Sequence, residues 1–119
     1  MAKRKKILVV ADKSLGCLLS ETLSKHNFNV SSETDPSIVF NMLKGDFFIE
    51  IVIFTIDRDI DLLMKYVKEV NQNRPDITSI ITTSGLELFV KKEITNYEKF
   101  VILEVPYILD ELVELTKSL

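Results

Sequence analysis

The chain has few of the residues that build metal sites and disulfides. Its 119 residues include one cysteine, Cys17, one histidine, His26, and no tryptophan. A single cysteine cannot form an internal disulfide, which favours a reducing cytoplasm. A zinc site needs about four such ligands, so none is expected. Cys17 and His26 fall on or just after one predicted helix, where packing and a contact with the last helix carbonyls explain them better than a nucleophile pair does.

Glycine is also scarce, with three in the chain. A phosphate-binding loop would follow the first predicted strand, where residues 12–16, DKSLG, contain a single glycine. The sequence therefore does not predict a Rossmann or P-loop nucleotide site. No apolar run approaches the ~20 residues that cross a bilayer. The run ILVV at residues 7–10 is also too short for a signal peptide, so we expect no membrane segment.

The charge is nearly balanced, with a net value of −3, and 46% of the residues are apolar. These values are typical of a soluble globular protein and do not indicate a nucleic-acid surface. The length predicts one domain over residues 1–119. Basic residues are concentrated in MAKRKK at the start. We expect residues 1–5 to be a solvated tail, with contact to an acidic partner as the alternative.

Apolar runs predict five strands. Residues 6–10, 49–54 and 100–103 (KILVV, IEIVIF and FVIL) are continuous apolar or nearly apolar runs, as in strands buried on both faces. Residues 77–82, ITSIIT, are a further strand. Residues 28–33, FNVSSE, are mostly polar and fit a strand at the edge of the sheet.

Helical patterns alternate with these strands. Ser14 is the predicted cap of the first helix, Asp35-Pro36 is the start of the second, and Asp59 is the cap of the third. A fourth helix is predicted only by a poor pattern at residues 86–94, and the fifth follows Pro106. The side chains expected to face inward are, for the first helix, Leu15, Leu18, Leu19, Thr22 and Leu23; for the second, Ile38, Val39, Met42 and Leu43; for the third, Leu63, Tyr66, Val67 and Val70; and for the fifth, Ile108, Leu109, Leu112, Val113 and Leu115. Gly45 and Arg74-Pro75 are expected to end the second and third helices.

This alternation predicts an α/β fold. Strands linked by helices through short connections form a parallel sheet with right-handed crossovers and helices on both faces. In such a doubly wound sheet, ligands bind beyond the carboxyl ends of the strands. The residues to inspect there are Ala11 to Lys13, Thr55 to Asp57, Thr82 to Ser84, and Glu104 to Pro106.

At these positions the chain resembles the receiver domain of bacterial two-component response regulators, the CheY-like family. The resemblance covers essentially the whole chain, through the five-fold alternation, the KILVV strand, and a Val-Pro-Tyr at 105–107 where the family has Lys-Pro-Phe. It implies a flavodoxin-like sheet of strand order 2-1-3-4-5. It also implies a phosphorylation site in which two acidic residues help hold Mg²⁺, an Asp accepts phosphate, and a Thr or Ser and a Lys contact the phosphoryl group.

Most of that phosphorylation site is replaced here. The acidic pair is Ala11 and Asp12, and Thr55 stands at the acceptor position after IVIF. Thr82 matches the hydroxyl position, whereas Val105 replaces the lysine. The aromatic that many members carry three residues before the lysine is Ile102 here. The resemblance therefore implies a degenerate pseudo-receiver in which Mg²⁺ and other cofactors are not expected.

Two alternatives remain at this site. Asp57 is a candidate acceptor, with weak Mg²⁺ binding by Asp12 and Asp57, but it lies two residues, roughly 6–7 Å, beyond Thr55 along the strand direction. Asp57, Asp59 and Asp61 are also explained by loop polarity, helix capping and the helix dipole. The second alternative is a small-ligand sensor that uses a neutral pocket lined by hydroxyls. Those hydroxyls belong to Thr55, Thr82 and Thr83.

The leading functional expectation is a non-enzymatic signalling module that binds protein partners without phosphorylation. The resemblance implies that the contact surface comprises the fourth helix, the fifth strand and the fifth helix, roughly residues 86–117. Its exposed members are expected to be Lys91, Lys92, Glu93, Asp110, Glu111 and Glu114. A homodimer is also compatible with such a surface. Each of these residues individually also fits a plain solvated face.

Overall fold

The computed structural model describes residues 5–46, 48–55, 60–83, 99–104 and 109–119. The strands are β1 (Lys6–Val10), β2 (Asn29–Glu33), β3 (Ile49–Phe54), β4 (Thr78–Thr83) and β5 (Phe100–Glu104). The described helices are α1 (Lys13–Ser24), α2 (Pro36–Gly45), α3 (Ile60–Asn73) and α4 (Leu109–Ser118). None of the helices in these ranges is both long and apolar enough to cross a bilayer.

The five strands form one parallel sheet of order β2-β1-β3-β4-β5. The predicted α/β fold with this strand order is confirmed. The strands β1, β3 and β4 lie inside the sheet, and the polar strand β2 is at one edge, as its composition predicts. The apolar strand β5 is at the other edge and residues 100–103 are only half-buried, so its apolar sequence does not reflect burial on both faces. Because the strands are parallel, their amino ends lie along one border of the sheet, called here the amino edge, and their carboxyl ends lie along the opposite border, the carboxyl edge. These borders run across the strands and are distinct from the edge strands β2 and β5.

Each face of the sheet carries its own hydrophobic core. Alternate residues of the strands pack with α2 and α3 on one face, where Tyr66 stacks on Phe54 with ring centroids 5.3 Å apart. The other residues pack with α1 and α4 on the opposite face. The four inward residues predicted for α3, Leu63, Tyr66, Val67 and Val70, are fully buried. Burial on both faces explains the apolar sequences of β1 and β3.

Helix α1 starts differently from the prediction. Its N-cap is Asp12, whose side chain accepts a hydrogen bond from the Leu15 backbone N–H at 2.8 Å, so Ser14 lies inside the first turn. Asp35 caps α2 with Pro36 at the first helical position, as predicted. Asp caps more strongly than an internal Ser can, because only the residue at the boundary reaches the free N–H groups.

Three predicted packing positions are wrong. Leu18 is 48% exposed and Ile38 is 43% exposed, although both were assigned to apolar helix faces. Cys17 is also exposed, not packed beside the core. Conversely, Thr116 of α4 is fully buried, and its hydroxyl donates to the Leu112 carbonyl at 2.7 Å. Helices α1 and α2 therefore cover a narrower part of the sheet than their apolar patterns indicate.

A buried arginine ties two loops together at the amino edge. Arg74, which follows α3, is 4% exposed. Its guanidinium donates to the carbonyls of Leu43, Asp46 and Ile49 at 2.9, 2.8 and 3.3 Å. It also binds both carboxylate oxygens of Asp76 at 3.2 Å. The loop between α2 and β3 is therefore held against the loop between α3 and β4.

Several predicted features lie outside the described residues. They are the weak helical pattern at 86–94, the Asp59 cap, Pro106 and Ile108.

Candidate functional site

The strand register brings the predicted site positions together at the carboxyl edge. Val10, Phe54 and Ile81 are direct neighbours on β1, β3 and β4. The residues that follow them, Ala11, Thr55 and Thr82, therefore occupy adjacent positions. Because successive side chains alternate between faces, all three belong to the face covered by α1 and α4.

Ala11 is part of the core at this edge. It is 6% exposed and packs in the same cluster as Ile53 and Leu19. Gly16 of α1 lies directly above, since a β-carbon added to it would be 3.9 Å from the Ala11 β-carbon. A charged side chain at position 11 would therefore be covered by a helix, at a cost in desolvation.

The hydroxyls of Thr55 and Thr82 are bound to the sheet itself. Thr55 donates to the Val10 carbonyl through both its backbone N–H, at 2.9 Å, and its Oγ1, at 3.1 Å. Thr82 is 2% exposed, and its Oγ1 donates to the Phe54 carbonyl at 3.5 Å. Each hydroxyl therefore donates to the last carbonyl of the neighbouring strand.

Thr34 is a further member of this edge that the sequence analysis missed. Its Oγ1 donates to the Ala11 carbonyl at 2.9 Å, and the Ala11 N–H donates to the Glu33 carbonyl at 3.3 Å. The prediction considered only residues after apolar strands, and β2 is polar. The signal that could have found Thr34 is its position directly after β2.

Three carboxylates of this edge, those of Asp12, Glu33 and Asp35, accept hydrogen bonds from local donors. Asp12 is exposed and caps α1. Glu33 Oε1 accepts the N–H groups of Thr34 and Asp35, each at 3.1 Å. The hydroxyl and backbone N–H of Ser37 hold the pKa of Asp35 below its ordinary value, because both donate to the charged carboxylate.

The residues described here do not fit a receiver-type Mg²⁺ site. Mg²⁺ needs oxygen ligands with substantial negative charge. Among Ala11, Asp12 and Thr55, only Asp12 offers a carboxylate, and that carboxylate already accepts the Leu15 N–H. Within the described ranges, no group of three His, Cys, Asp or Glu residues is arranged to hold a metal ion.

The remaining predicted residues divide into two groups. Ile102 is half-buried and packs on the core beside α2 and α3, and the three acidic residues of α4 are exposed. Those three are Asp110, Glu111 and Glu114. The positions outside the described residues are Asp57, Val105, Lys91, Lys92 and Glu93, and the described geometry does not include the Thr83 side chain.

Comparison with solved structures identifies the fold as that of response-regulator receiver domains. The chain is similar to a receiver domain protein of Bacillus halodurans, with a TM-score of 0.79 and 17% identity, over 98% of this chain and 97% of that one. A CheY-like receiver domain of Methanospirillum hungatei gives 0.79 and 19%, over 98% and 93%. An orphan response regulator of Helicobacter pylori gives 0.81 and 12%, over 98% of each chain.

The comparison with family models and the comparison with curated proteins gave no match. At these identities the structural likeness concerns the backbone fold. The function therefore has to be argued from the site.

Proposed function

We propose that this chain is a non-catalytic pseudo-receiver that acts in signal transduction by binding protein partners without being phosphorylated. The proposal places one such domain over residues 1–119 in a reducing cytoplasm. It combines a receiver fold, which elsewhere presents regulated surfaces to partners, with a carboxyl edge whose chemistry differs from a phosphorylation site.

The observation that carries the proposal is the hydrogen bonding of Thr55. An acyl phosphate requires a carboxylate nucleophile. The side chain at the acceptor position is instead a hydroxyl that donates to the Val10 carbonyl at 3.1 Å. That bond links the end of β3 to the end of β1. The Thr55 hydroxyl therefore stabilises the sheet and is not a nucleophile for a phosphoryl group.

Neighbouring residues support the same proposal. Ala11 is buried under α1, where a second metal-binding carboxylate would be desolvated. Asp12 is used as a helix cap. Loss of clustered carboxylates also removes their mutual repulsion, which destabilises such sites unless a cation is bound. The edge is thus suited to stability rather than to phosphoryl transfer.

Partner binding is proposed for the surface that includes α4. Asp110, Glu111 and Glu114 are exposed on this helix, while Leu112 and Val113 are buried against the sheet. The outer face is therefore acidic, and a basic partner surface would complement it. Lys91, Lys92 and Glu93 are the proposed continuation of this surface.

Intact mass spectrometry after incubation with acetyl phosphate and Mg²⁺ tests the absence of phosphorylation. We expect an unchanged mass for the wild type. A stable gain of one phosphoryl group that disappears in Asp57→Ala would overturn the proposal in favour of Asp57 as acceptor. A gain that persists in Asp57→Ala but disappears in Thr55→Val would overturn it through Thr55.

Capture of partners from lysate of the native organism tests the binding surface. We expect a partner retained equally with and without acetyl phosphate and lost in the double variant Glu111→Lys, Glu114→Lys. The matched control is Glu21→Lys, which reverses an exposed acidic residue on α1. Equal loss in the control, or capture only after acetyl phosphate treatment, would contradict the proposed surface or its independence of phosphorylation.

A further inference from the structure

The outer side of the edge strand β2 is a surface on which another strand can pair. Among the five described strands, β2 has β1 as its single neighbour. Residues 29–33 are exposed or half-exposed along the whole strand. Their register with β1 runs from Lys6–Asn29 to Val10–Glu33 without a shift, so β2 is regular throughout. An edge strand of this kind presents a row of backbone groups to other chains.

The hydrogen bonds to β1 show which backbone groups of β2 point outward. The N–H of Asn29 donates to the carbonyl that precedes β1, at 3.0 Å, and the carbonyl of Glu33 accepts the N–H that follows β1, at 3.3 Å. Backbone groups alternate in direction along a strand, so Ser31 also faces β1. The N–H and C=O groups of Val30 and Ser32 therefore point away from the sheet.

The usual devices that prevent pairing at an edge strand are absent from residues 29–32 of β2. Native edge strands are typically protected by lysine, proline or a bulge. The segment NVSS contains no charged residue and no proline. Its register with β1 contains no bulge. The centre of β2 is therefore open to a further strand.

Helix α1 leaves room for a second copy beside β2. Gly16 lies over Ser32, since a β-carbon added to Gly16 would be 3.3 Å from the Ser32 β-carbon. Ser20 and Ser24 follow Gly16 at intervals of four residues and share its side of the helix. Small side chains allow two helices to pack with their axes as close as about 8 Å.

On the opposite face of the sheet, α2 presents an apolar side chain beside β2. Ile38 is 43% exposed. It is two residues, about 200° around the helix, from Phe40. The ring centroid of Phe40 lies 4.8 Å from that of Tyr66 in α3. Ile38 therefore lies on the side of α2 that faces away from α3 and towards β2, where a second copy would cover it.

The two ends of β2 carry opposite net charges. At the carboxyl end the charged residues are mainly acidic, with Lys13 as the exception; the acidic ones are Asp12, Glu33 and Asp35. At the amino end the ion pair of Lys6 with Asp46 is neutral, and Lys5 and Lys25 add positive charge. An antiparallel copy of β2 would bring opposite charges together at both ends, whereas a parallel copy would bring like charges together.

We propose that two copies of this chain join through antiparallel β2 strands and form one continuous sheet. The two-fold axis passes between the Ser31 residues of the two copies. Val30 of each copy then pairs with Ser32 of the other, and the outward N–H and C=O groups of both residues form hydrogen bonds. A second copy is the occupant because the same strand supplies the matching backbone groups and charges at both ends. This contact is closed at two copies.

Sedimentation equilibrium of the full chain over a range of concentrations tests the dimer. We expect a reversible dimer for the wild type. Ser31→Lys and Ser31→Glu each place like charges directly opposite one another and should weaken dimerisation about fivefold. A mixture of the two variants should dimerise at least as well as the wild type. The control Asn71→Lys adds the same charge at an exposed position on α3 and should have no effect.

Disulfide cross-linking tests the register. Residues 31 of the two copies form a non-hydrogen-bonded pair with Cα atoms about 4.5 Å apart, which a disulfide can span. In a Cys17→Ser background, Ser31→Cys should therefore give a cross-linked dimer on oxidation. Asn29→Cys in the same background should remain monomeric, because residues 29 of the two copies would be about 13 Å apart. Thermal unfolding checks that every variant folds.

Several results would overturn the proposal. They are a wild type that stays monomeric at every concentration, a mixture of the Lys and Glu variants that does not dimerise, or equal cross-linking through residues 29 and 31. The double variant Glu111→Lys, Glu114→Lys should dimerise like the wild type. A dimer lost in that variant but retained in Ser31→Lys would belong to the α4 surface and not to β2. None of these measurements depends on phosphorylation or on another protein.

Discussion

Arg74 illustrates how much a single side chain contributes to this structure. A guanidinium has five N–H donors, and Arg74 uses them on three carbonyls and both oxygens of Asp76. The carboxylate of Asp76 is 62% exposed, so the ion pair itself contributes little. The carbonyls matter more, because two of their three hydrogen bonds to Arg74 are buried.

Replacement of Arg74 with methionine should therefore destabilise the protein. We expect a loss of about 3 kcal/mol in the free energy of unfolding, because buried carbonyls lose their donors. Urea denaturation measures this change. The control is Lys44→Met, which removes an exposed cation whose nearest carboxylate oxygen is 3.9 Å away. An Arg74→Met variant as stable as Lys44→Met would show that water replaces the arginine without cost.

Thr55 allows a second prediction at the scale of single residues. Thr55→Val removes the bond from Oγ1 to the Val10 carbonyl, which still accepts the backbone N–H, so we expect a loss of about 1 kcal/mol. Thr55→Asp should cost about 2 kcal/mol at neutral pH, because a half-buried carboxylate would face that carbonyl.

The pH dependence distinguishes these two effects. The deficit of Thr55→Asp should shrink as the pH falls and its carboxyl group becomes protonated, since a protonated carboxyl can donate to Val10. The deficit of Thr55→Val should not change in this way. Thermal unfolding across a pH series measures both. An aspartate variant as stable as the wild type at neutral pH would contradict this account of the site.

At the scale of elements, the two ends of α1 depend on specific residues. Asp12 caps the start. After the helix, the N–H groups of His26 and Asn27 donate to the carbonyls of Leu23 and Ser24, at 2.9 and 3.3 Å. Asn27 has a φ of 70°, the left-handed conformation that closes the turn into β2. Asparagine and glycine tolerate this conformation better than other residues.

Substitutions at Asn27 should follow this backbone requirement. Asn27→Gly should leave the stability unchanged or slightly increased, whereas Asn27→Val should lower it by about 1–2 kcal/mol. Asn27 is exposed, so loss of packing does not complicate the comparison. The melting temperatures of the two variants measure the difference. Equal melting temperatures would mean that the turn changes conformation to suit the new residue.

At the scale of the whole molecule, acid stability depends on the amino edge. A hydrogen bond from Lys6 lowers the pKa of Asp46 below its ordinary value of 3.8, and the Phe48 N–H and the charges of Lys6 and Arg74 add to this effect. Arg74 similarly lowers the pKa of Asp76. Both groups are more acidic in the folded state than in the unfolded chain.

The sign of the effect on stability follows from this difference. A carboxyl group with a lowered folded pKa stabilises the protein above its unfolded pKa, and this contribution is lost as the pH falls through the folded value. Asp46→Asn should therefore be less stable than the wild type at neutral pH, with a difference that vanishes well below pH 3.8. Urea denaturation at several pH values tests this. A difference that does not vary with pH would contradict the assignment.

The whole fold was largely predictable from the sequence, but the hydrogen-bond partners of individual polar side chains were not. Apolar runs and helical periodicity predicted the positions of the five strands and of the described helices, because these signals come from residues close together in the chain. The strand order followed from resemblance to a family. Exposure of Leu18 and Ile38 was missed, since periodicity indicates a helix face but not how much of that face the sheet covers.

The sequence by itself determined the alternation of strands and helices, the buried character of β1 and β3, and the residue types present at the carboxyl edge. Tertiary structure decided what those residues do. Thr55 binds a carbonyl 45 residues away in the chain, and Arg74 binds one 31 residues away. Such partners depend on strand register and loop packing, which bring distant backbone groups within hydrogen-bonding distance. The Thr55 side chain therefore links the ends of two strands, and Arg74 links the loops of the amino edge.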